Sequence, residues 1–183
     1  MPRRPDPRKS TRALDRLGPD ETARLLPQLL GLHPELREEA EALALRMITA
    51  VDPEDVAEAM EFAFSGIAQE EGGNSGGGAF CEAALAPFLK GLERLLAMAQ
   101  AEPALAQAKG MILGLHDLKR QLPPDAEDYC SGRGLREVLE AWVRGRPAAA
   151  DAPLLAWVGE VLPDWRGDVA PTLARLRQPA GRP

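Results

Sequence analysis

The sequence predicts an all-α protein of about seven or eight antiparallel helices, arranged as a HEAT-like or TPR-like stack or as an irregular helical bundle. Its apolar residues are mostly Leu and Ala rather than the β-branched residues that fill strands, and aromatic residues make up only 4%. Apolar residues recur at helical spacing along most of the chain. Several helices also open at a proline just after a turn, as at Pro53 and Pro103. Short turns of this kind are typical of stacked helix pairs.

The length and composition favour one helical domain with loose ends. A chain of 183 residues has room for one core of ordinary size. We expect this domain over residues 17–177, a disordered basic arm at 1–16 and a disordered tail at 178–183. No apolar run approaches the roughly 18 to 20 residues that span a bilayer, and the N-terminus lacks the apolar core of a secretory signal. A cytoplasmic protein without membrane contact is therefore expected, with Cys81 and Cys130 as reduced thiols.

The N-terminal arm is strongly basic, although the whole chain has a formal net charge of -6. The arm has few apolar residues to bury, so we expect it to be disordered or extended. A solvated tail and a contact with RNA, DNA or an acidic protein both remain open. The basic residues available for such a contact are Arg3, Arg4, Arg8, Lys9 and Arg12.

The first two helices follow the arm. The first is predicted from near Ala13 or Pro19 to Gly31, and Pro27 either kinks it or divides it into two short pieces. Pro34 opens the second helix, whose apolar residues lie on more than one side. That pattern predicts a central helix, packed against both the first helix and the third. The apolar residues concerned are Leu36, Ala40, Leu43, Leu45, Met47, Ile48 and Val51.

The third helix, predicted over Asp52–Ile67, is the clearest in the chain. Asp52 can cap the first free amides, and Pro53 suits the first helical position. Apolar residues follow one face of this helix and polar residues the other. The inward residues are Val56, Met60, Ala63, Phe64 and Ile67, and the outward ones are Asp55, Glu58, Glu61 and Ser65.

The stretch from residue 35 to residue 71 is acidic, with eleven acidic residues against two arginines. Either ordinary solvation or docking of a basic partner explains this charge, and Glu58 and Glu61 are the candidates on the third helix. The Glu-x-x-His pattern of a di-iron bundle is missing, so we predict no metal site. Residues 71–78 are predicted to form a flexible glycine-rich loop. No strand precedes the loop and no Gly-Lys-Ser/Thr closes it, so we predict no nucleotide site either.

Further helices are predicted from Ala79 to the C-terminal region. Gly110 and Gly114 lie one turn apart on one of them, and each costs about 1 kcal/mol relative to alanine in an exposed helix. We therefore predict a close helix–helix crossing at these two glycines. The three tryptophans, Trp142, Trp157 and Trp165, are most simply the core of the C-terminal helices, although an exposed pair would indicate an interface.

No catalytic or cofactor-binding site is predicted. His116 and Asp117 are adjacent, and adjacent positions of a helix point about 100° apart, so we do not expect them to hydrogen-bond to each other. A structural role for His116 is favoured over a general base or a ligand, and the residue stays a candidate for interaction. Cys81 has no histidine near it in sequence and is interpreted as buried or idle.

The layout resembles uncharacterised bacterial helical-repeat segments that are found beside SWIM-type zinc fingers. The stretches that carry the resemblance are LLPQLLGLHPELREEAEALA, DPEDVAEAMEFAF, FLKGLERLLAMAQ and ALAQAKGMILGLHDL. The chain has no Cys/His zinc-binding set of its own, so the resemblance implies only an all-helical interaction module of unknown partner. The function expected is thus that of a non-catalytic protein-interaction or scaffold module. The alternatives are a nucleic-acid accessory protein that uses its basic arm, and a helical-bundle enzyme or small-ligand binder.

Overall fold

A computed structural model confirms the all-α prediction for the part of the chain that it describes. The structure describes residues 14, 17–70, 77–119 and 129–178, with side chains at all of these except 66–70, 77–80 and 129–131. Eight α-helices and no strand occur within these residues. They are α1 (Pro19–Leu32), α2 (Arg37–Thr49), α3 (Pro53–Glu70), α4 (Gly77–Ala97), α5 (Ala101–Lys119), α6 (Leu135–Gly145), α7 (Asp151–Val161) and α8 (Arg166–Arg177).

The chain divides into two compact units, Met1–Met47 and Ile48–Pro183. The first unit contains α1 and most of α2, and the boundary falls two residues before the end of α2 at Thr49. The second unit contains α3 to α8. Most of the loop predicted at 71–78 lies outside the described residues, and Gly77 and Gly78 belong to the first turn of α4.

Helix α1 begins at a local cap and is not divided by its internal proline. The backbone N–H of Gly18 donates to the Glu21 carboxylate at 2.9 Å, and Pro19 follows as the first helical residue. The helix continues through Pro27 to Leu32, so the prediction of two short pieces is wrong. Proline removes only one hydrogen bond of the helix, and the turns on either side remain.

Helices α3 and α5 cross closely at the two glycines of α5. A Cβ atom added at Gly110 would lie 2.5 Å from the carbonyl oxygen of Pro53 and 2.6 Å from Cβ of Val56. One added at Gly114 would lie 3.1 Å from Cβ of Met60. Gly110 therefore has no room for a side chain, and a side chain at Gly114 would require Met60 to shift by a few tenths of an ångström, so the predicted close crossing is confirmed. The local start of α3 is confirmed as well, because the backbone N–H of Glu54 donates to the Asp52 carboxylate at 2.8 Å.

All six helices of the second unit contribute to one hydrophobic core. Trp142 of α6 and Trp165, which ends a short 3₁₀ turn between α7 and α8 (Pro163–Trp165), are 1% and 2% exposed. Trp157 of α7 is partly buried and packs against the same core, so the core role predicted for the three tryptophans is confirmed. The other large side chains of the core centre are Met60, Phe64, Leu85, Leu92, Leu95, Met111, Ile112, Leu115, Leu135 and Leu139.

Candidate interaction surface

Helices α1 and α2 carry apolar side chains that the first unit does not bury. No residue of either helix is buried. Seven large apolar side chains of α1, α2 and the turn between them are between 37% and 78% exposed. We call this group without Leu45, which lies on another side of α2, the leucine surface. It comprises Leu26, Leu29, Leu32, Leu36, Leu43 and Met47.

Within the first unit α2 buries none of its residues, so its predicted position as a central helix is not confirmed there. Leu43 and Met47 belong to its main apolar stripe and are 50% and 72% exposed, and Leu45 on another side is 39% exposed. Apolar residues on two sides of a helix indicate that both sides can be buried. Their spacing does not say whether the burying surface belongs to the same chain or to another one.

Acidic residues surround the leucine surface in sequence. Between Leu17 and Met47 the chain has six carboxylates and three arginines. The carboxylates are Asp20, Glu21, Glu35, Glu38, Glu39 and Glu41, all of them exposed. A surface of this composition combines an apolar contact area with a negative potential.

The acidic residues predicted on α3 lie on its exposed face. Glu58 and Glu61 are exposed, and neither makes an ion pair within the described part of the chain. Phe62 beside them is 80% exposed, which sequence reasoning did not single out. Its position two residues after the buried Met60 was the available signal, because residues two apart on a helix point to opposite sides. The outer face of α3 therefore adds one aromatic side chain to an acidic surface.

His116 of α5 lies between two carboxylates. Its Nδ1 is 3.0 Å from Oδ1 of Asp117, and its Nε2 is 3.2 Å from Oδ2 of Asp164, in the turn before α8. The histidine side chain is 11% exposed, whereas the two carboxylates are 50% and 66% exposed. The ring also meets Trp165 edge to face, with centroids 5.4 Å apart and an angle of 83° between the planes.

The contact of His116 with Asp117 corrects the expectation that these neighbours do not hydrogen-bond. The Cα–Cβ bonds of adjacent helical residues do point about 100° apart. An aspartate can nevertheless turn its carboxylate sideways through χ1 and χ2, and the histidine Nδ1 lies near the backbone. The angle between adjacent side chains was therefore too coarse a criterion for two short polar groups.

A second polar cluster joins α6, α7 and the end of α8. The guanidinium group of Arg177 donates to both carboxylate oxygens of Asp151, at 2.9 and 2.7 Å. Trp142 donates its indole N–H to the same carboxylate at 2.9 Å. The hydrogen bond to Asp151 and the attraction between the two charges raise the pKa of Arg177, and burial opposes this shift.

Arg177 also satisfies carbonyl groups at the end of α6. It donates to the carbonyl oxygen atoms of Val143 at 3.1 Å, Arg146 at 2.6 Å and Pro147 at 3.3 Å. The last carbonyls of a helix lack partners within the helix, so this side chain acts as a C-terminal cap supplied from α8. Sequence reasoning missed this role, since nothing local to Arg177 indicates it.

A cleft with a volume of about 880 Å³ lies between α6 and α8. On one side, along α6 and the turn before it, Arg133 contacts Glu82 and Glu137, and Arg136 donates to Glu140 at 2.7 Å. Asp168 and Arg175 of α8 line the other side, and His116 is not among the lining residues. The carboxylates of this cleft therefore do not converge with His116, whereas the enzyme or ligand-binder alternative predicts that they do.

The basic residues of the N-terminal arm, from Arg3 to Arg12, lie outside the described residues, and their role stays a prediction. Within the described ranges, no three His, Cys, Asp or Glu side chains are grouped so that they could hold a metal ion. Among the described helices, none has the length and apolar character to cross a membrane.

Comparisons with known proteins find no match to any family model, curated protein or solved structure. The resemblance to helical-repeat segments beside SWIM-type zinc fingers accordingly stays a prediction.

Proposed function

We propose that this chain is a non-catalytic protein-interaction module whose leucine surface binds an amphipathic helix of a partner protein. The observation that carries the proposal is the exposure of the six large apolar side chains of the leucine surface, which lie on two helices that bury no residue and in the turn between them. Burying a fully exposed leucine or methionine contributes about 1.5–3 kcal/mol, and a large part of that remains to be gained at each of these side chains. A partner helix supplies the missing burial through residues spaced three and four apart.

The acidic residues around the leucine surface favour a positively charged partner. Six exposed carboxylates against three arginines favour a helix flanked by Lys and Arg residues. Two leucine surfaces placed face to face would bring the same acidic residues together, and like charges disfavour that pairing. The basic arm of a second copy has few apolar residues, so it does not supply the missing burial. The occupant is therefore a basic amphipathic helix of another protein.

The test places a photoreactive amino acid in the full chain at Leu29 or at Leu43 and cross-links it in native cell extract. The same amino acid at Phe62 is the matched control, because Phe62 is an exposed apolar residue of α3 outside the leucine surface. We expect positions 29 and 43 to label one partner segment with apolar residues at helical spacing and an excess of Lys and Arg. Position 62 should not label that segment.

A synthetic peptide of the labelled segment then measures the contribution of the leucine surface. Leu29→Ser combined with Leu43→Ser should weaken peptide binding by about tenfold or more, whereas Phe62→Ser should leave it unchanged. Circular dichroism checks that the variants keep their helix content. Labelling of a second copy of the chain, or of a segment without basic residues, would contradict the proposal. Nucleic acid captured at low salt and lost on deletion of residues 1–16 would favour the basic-arm alternative instead.

A further inference from the structure

The two units of the chain differ in what holds their helices in place. In the second unit, fully buried side chains of several helices form a core, and Trp142, Asp151 and Arg177 are joined by hydrogen bonds between helices. In the first unit, neither α1 nor α2 buries a residue. Even the best covered side chains of these two helices are only partly buried. The described part of the first unit therefore has no core of its own.

Local hydrogen bonds define both ends of α1. At its start the backbone N–H of Gly18 donates to the Glu21 carboxylate, and the Thr22 hydroxyl donates to the Gly18 carbonyl oxygen, each at 2.9 Å. At its end the N–H of His33 donates to the carbonyl oxygen of Leu29 at 2.8 Å. Bonds of this kind decide where a helix begins and ends, whereas most helical stability in proteins comes from the packing of an apolar face.

Helices α1 and α2 are too short to be stable by themselves. They have 14 and 13 residues. Isolated helices shorter than about 12–15 residues are marginal in water even when they are rich in alanine. Pro27 removes one hydrogen bond inside α1, and Gly31 disfavours its last turn. The helical and unfolded states of the first unit are therefore close in free energy.

We propose that the folding of α1 and α2 is coupled to binding, so that the partner helix completes the leucine surface from a segment that opens readily in the free chain. A partner helix that buries Leu29 and Leu43 supplies the packing that the first unit lacks. The open fraction of the first unit weakens the apparent affinity in proportion, because only the helical form binds. The identity of the partner rests on the proposed function, whereas the opening of the free chain does not.

Hydrogen exchange of the full chain without a partner tests the free state. We expect the amides of α1 and α2 to exchange at least about 100-fold faster than those of α5 around Met111 and Leu115, since α5 opens only together with the core of the second unit. Protection should rise near Ile48, which packs against that core. Protection of α1 and α2 equal to that of α5 would overturn the proposal, whether or not a partner has been found.

The synthetic peptide of the cross-linked partner segment tests the coupling itself. At saturation it should slow exchange throughout α1 and α2 by about tenfold or more and leave exchange in α5 unchanged. A peptide that binds without slowing exchange would contradict coupled folding and leave the proposed function standing. A peptide that does not bind would contradict the proposed function, and the coupling with it.

Helix propensity provides a second readout, because it changes the folding of a segment without changing the contact surface. Gly31→Ala, whose added Cβ atom meets nothing within 4 Å, should tighten peptide binding by about two- to fivefold. Gly167→Ala in α8 is the matched control in the second unit, where the added atom is equally free, and should leave binding unchanged.

The opposite substitution should have the opposite effect. Ala42→Gly, at an exposed position of α2, should weaken peptide binding by about fivefold. Ala156→Gly, at an exposed position of α7, is its matched control and should not change binding. Affinities that do not respond to Gly31→Ala and Ala42→Gly, or that respond equally to the two controls, would show that α1 and α2 are already fully formed in the free chain.

Discussion

Helices α2 and α5 both carry apolar residues on more than one side, but their environments differ completely. Helix α5 has ten buried residues among its nineteen, whereas α2 has none among its thirteen. Charged residues account for part of the contrast, because Glu38, Glu39 and Glu41 interrupt the apolar residues of α2. Apolar periodicity therefore shows which faces of a helix can be buried. It does not report whether the burying surface lies in the same chain.

The largest difference in stability is expected when one leucine of each helix is replaced by alanine. Leu115→Ala should lower the free energy of unfolding of the second unit by about 2–5 kcal/mol, because Leu115 is fully buried and its loss leaves a cavity. Leu43→Ala, at a half-exposed position of α2 in the first unit, should change the unfolding free energy of that unit by no more than about 0.5 kcal/mol. Tryptophan fluorescence during urea unfolding follows the second unit, which contains all three tryptophans, and circular dichroism follows the helices of the first unit as well. Equal losses of unfolding free energy from the two variants would contradict the difference in burial between α2 and α5.

The next largest change in unfolding free energy is expected at the polar cluster of Trp142, Asp151 and Arg177. Arg177→Ala should cost about 2–4 kcal/mol, since it leaves the buried Asp151 carboxylate without its cation and the end of α6 without its cap. Arg175→Ala removes the same charge from an exposed position of the same helix and should cost less than about 0.5 kcal/mol. Urea unfolding of both variants measures the difference. Similar losses of unfolding free energy from both variants would show that the charge of Arg177, and not its hydrogen bonds to Asp151 and to the end of α6, stabilises the second unit.

The pH dependence of the Arg177 contribution has a definite sign. The pKa of Arg177 is raised in the folded chain, so its contribution is fully present below the ordinary arginine pKa and lost only in strong alkali. The difference in unfolding free energy between wild type and Arg177→Ala should therefore stay constant from about pH 6 to pH 9. A difference in unfolding free energy that changes within this pH range would contradict the raised pKa of Arg177.

A smaller effect is expected at the close crossing of α3 and α5. Gly110→Ala should destabilise the chain by about 1–3 kcal/mol, because its methyl group would overlap Pro53 and Val56. Gly31→Ala in α1 is the matched control, since an added Cβ atom there meets nothing within 4 Å. It should leave helix content unchanged or raise it slightly. Thermal unfolding and circular dichroism of the two variants distinguish these outcomes, and a neutral Gly110→Ala would contradict the crossing.

The smallest effect is expected from an exposed aromatic residue within the well-packed unit. Phe62→Ser should change the unfolding free energy by less than about 0.5 kcal/mol, because the side chain is 80% exposed. Phe64, two residues further along the same helix, is 1% exposed, and Phe64→Ala should cost about 3–5 kcal/mol. Urea unfolding compares the two. A large loss from Phe62→Ser would show that this side chain is not free of the core.

Features that depend on neighbours in sequence were predictable. The Asp52 cap, the inward position of Met60 and Phe64, and the crossing at Gly110 each follow from spacing and residue type within one helix. The partners of His116 and Arg177 were not predictable in this way. Asp164 lies 48 residues from His116, and Asp151 lies 26 residues from Arg177. Only the packing of several helices brings such residues together.

The sequence by itself determined that the chain is helical, where most helices begin and which of their faces are apolar. These properties come from backbone propensity, capping and periodicity, which act over a few residues. Only the tertiary structure shows which apolar faces are buried within the chain and which buried polar groups are paired. Burial and hydrogen bonding across helices depend on distances between residues far apart in sequence, so α2 and α5 could not be told apart before the fold was known.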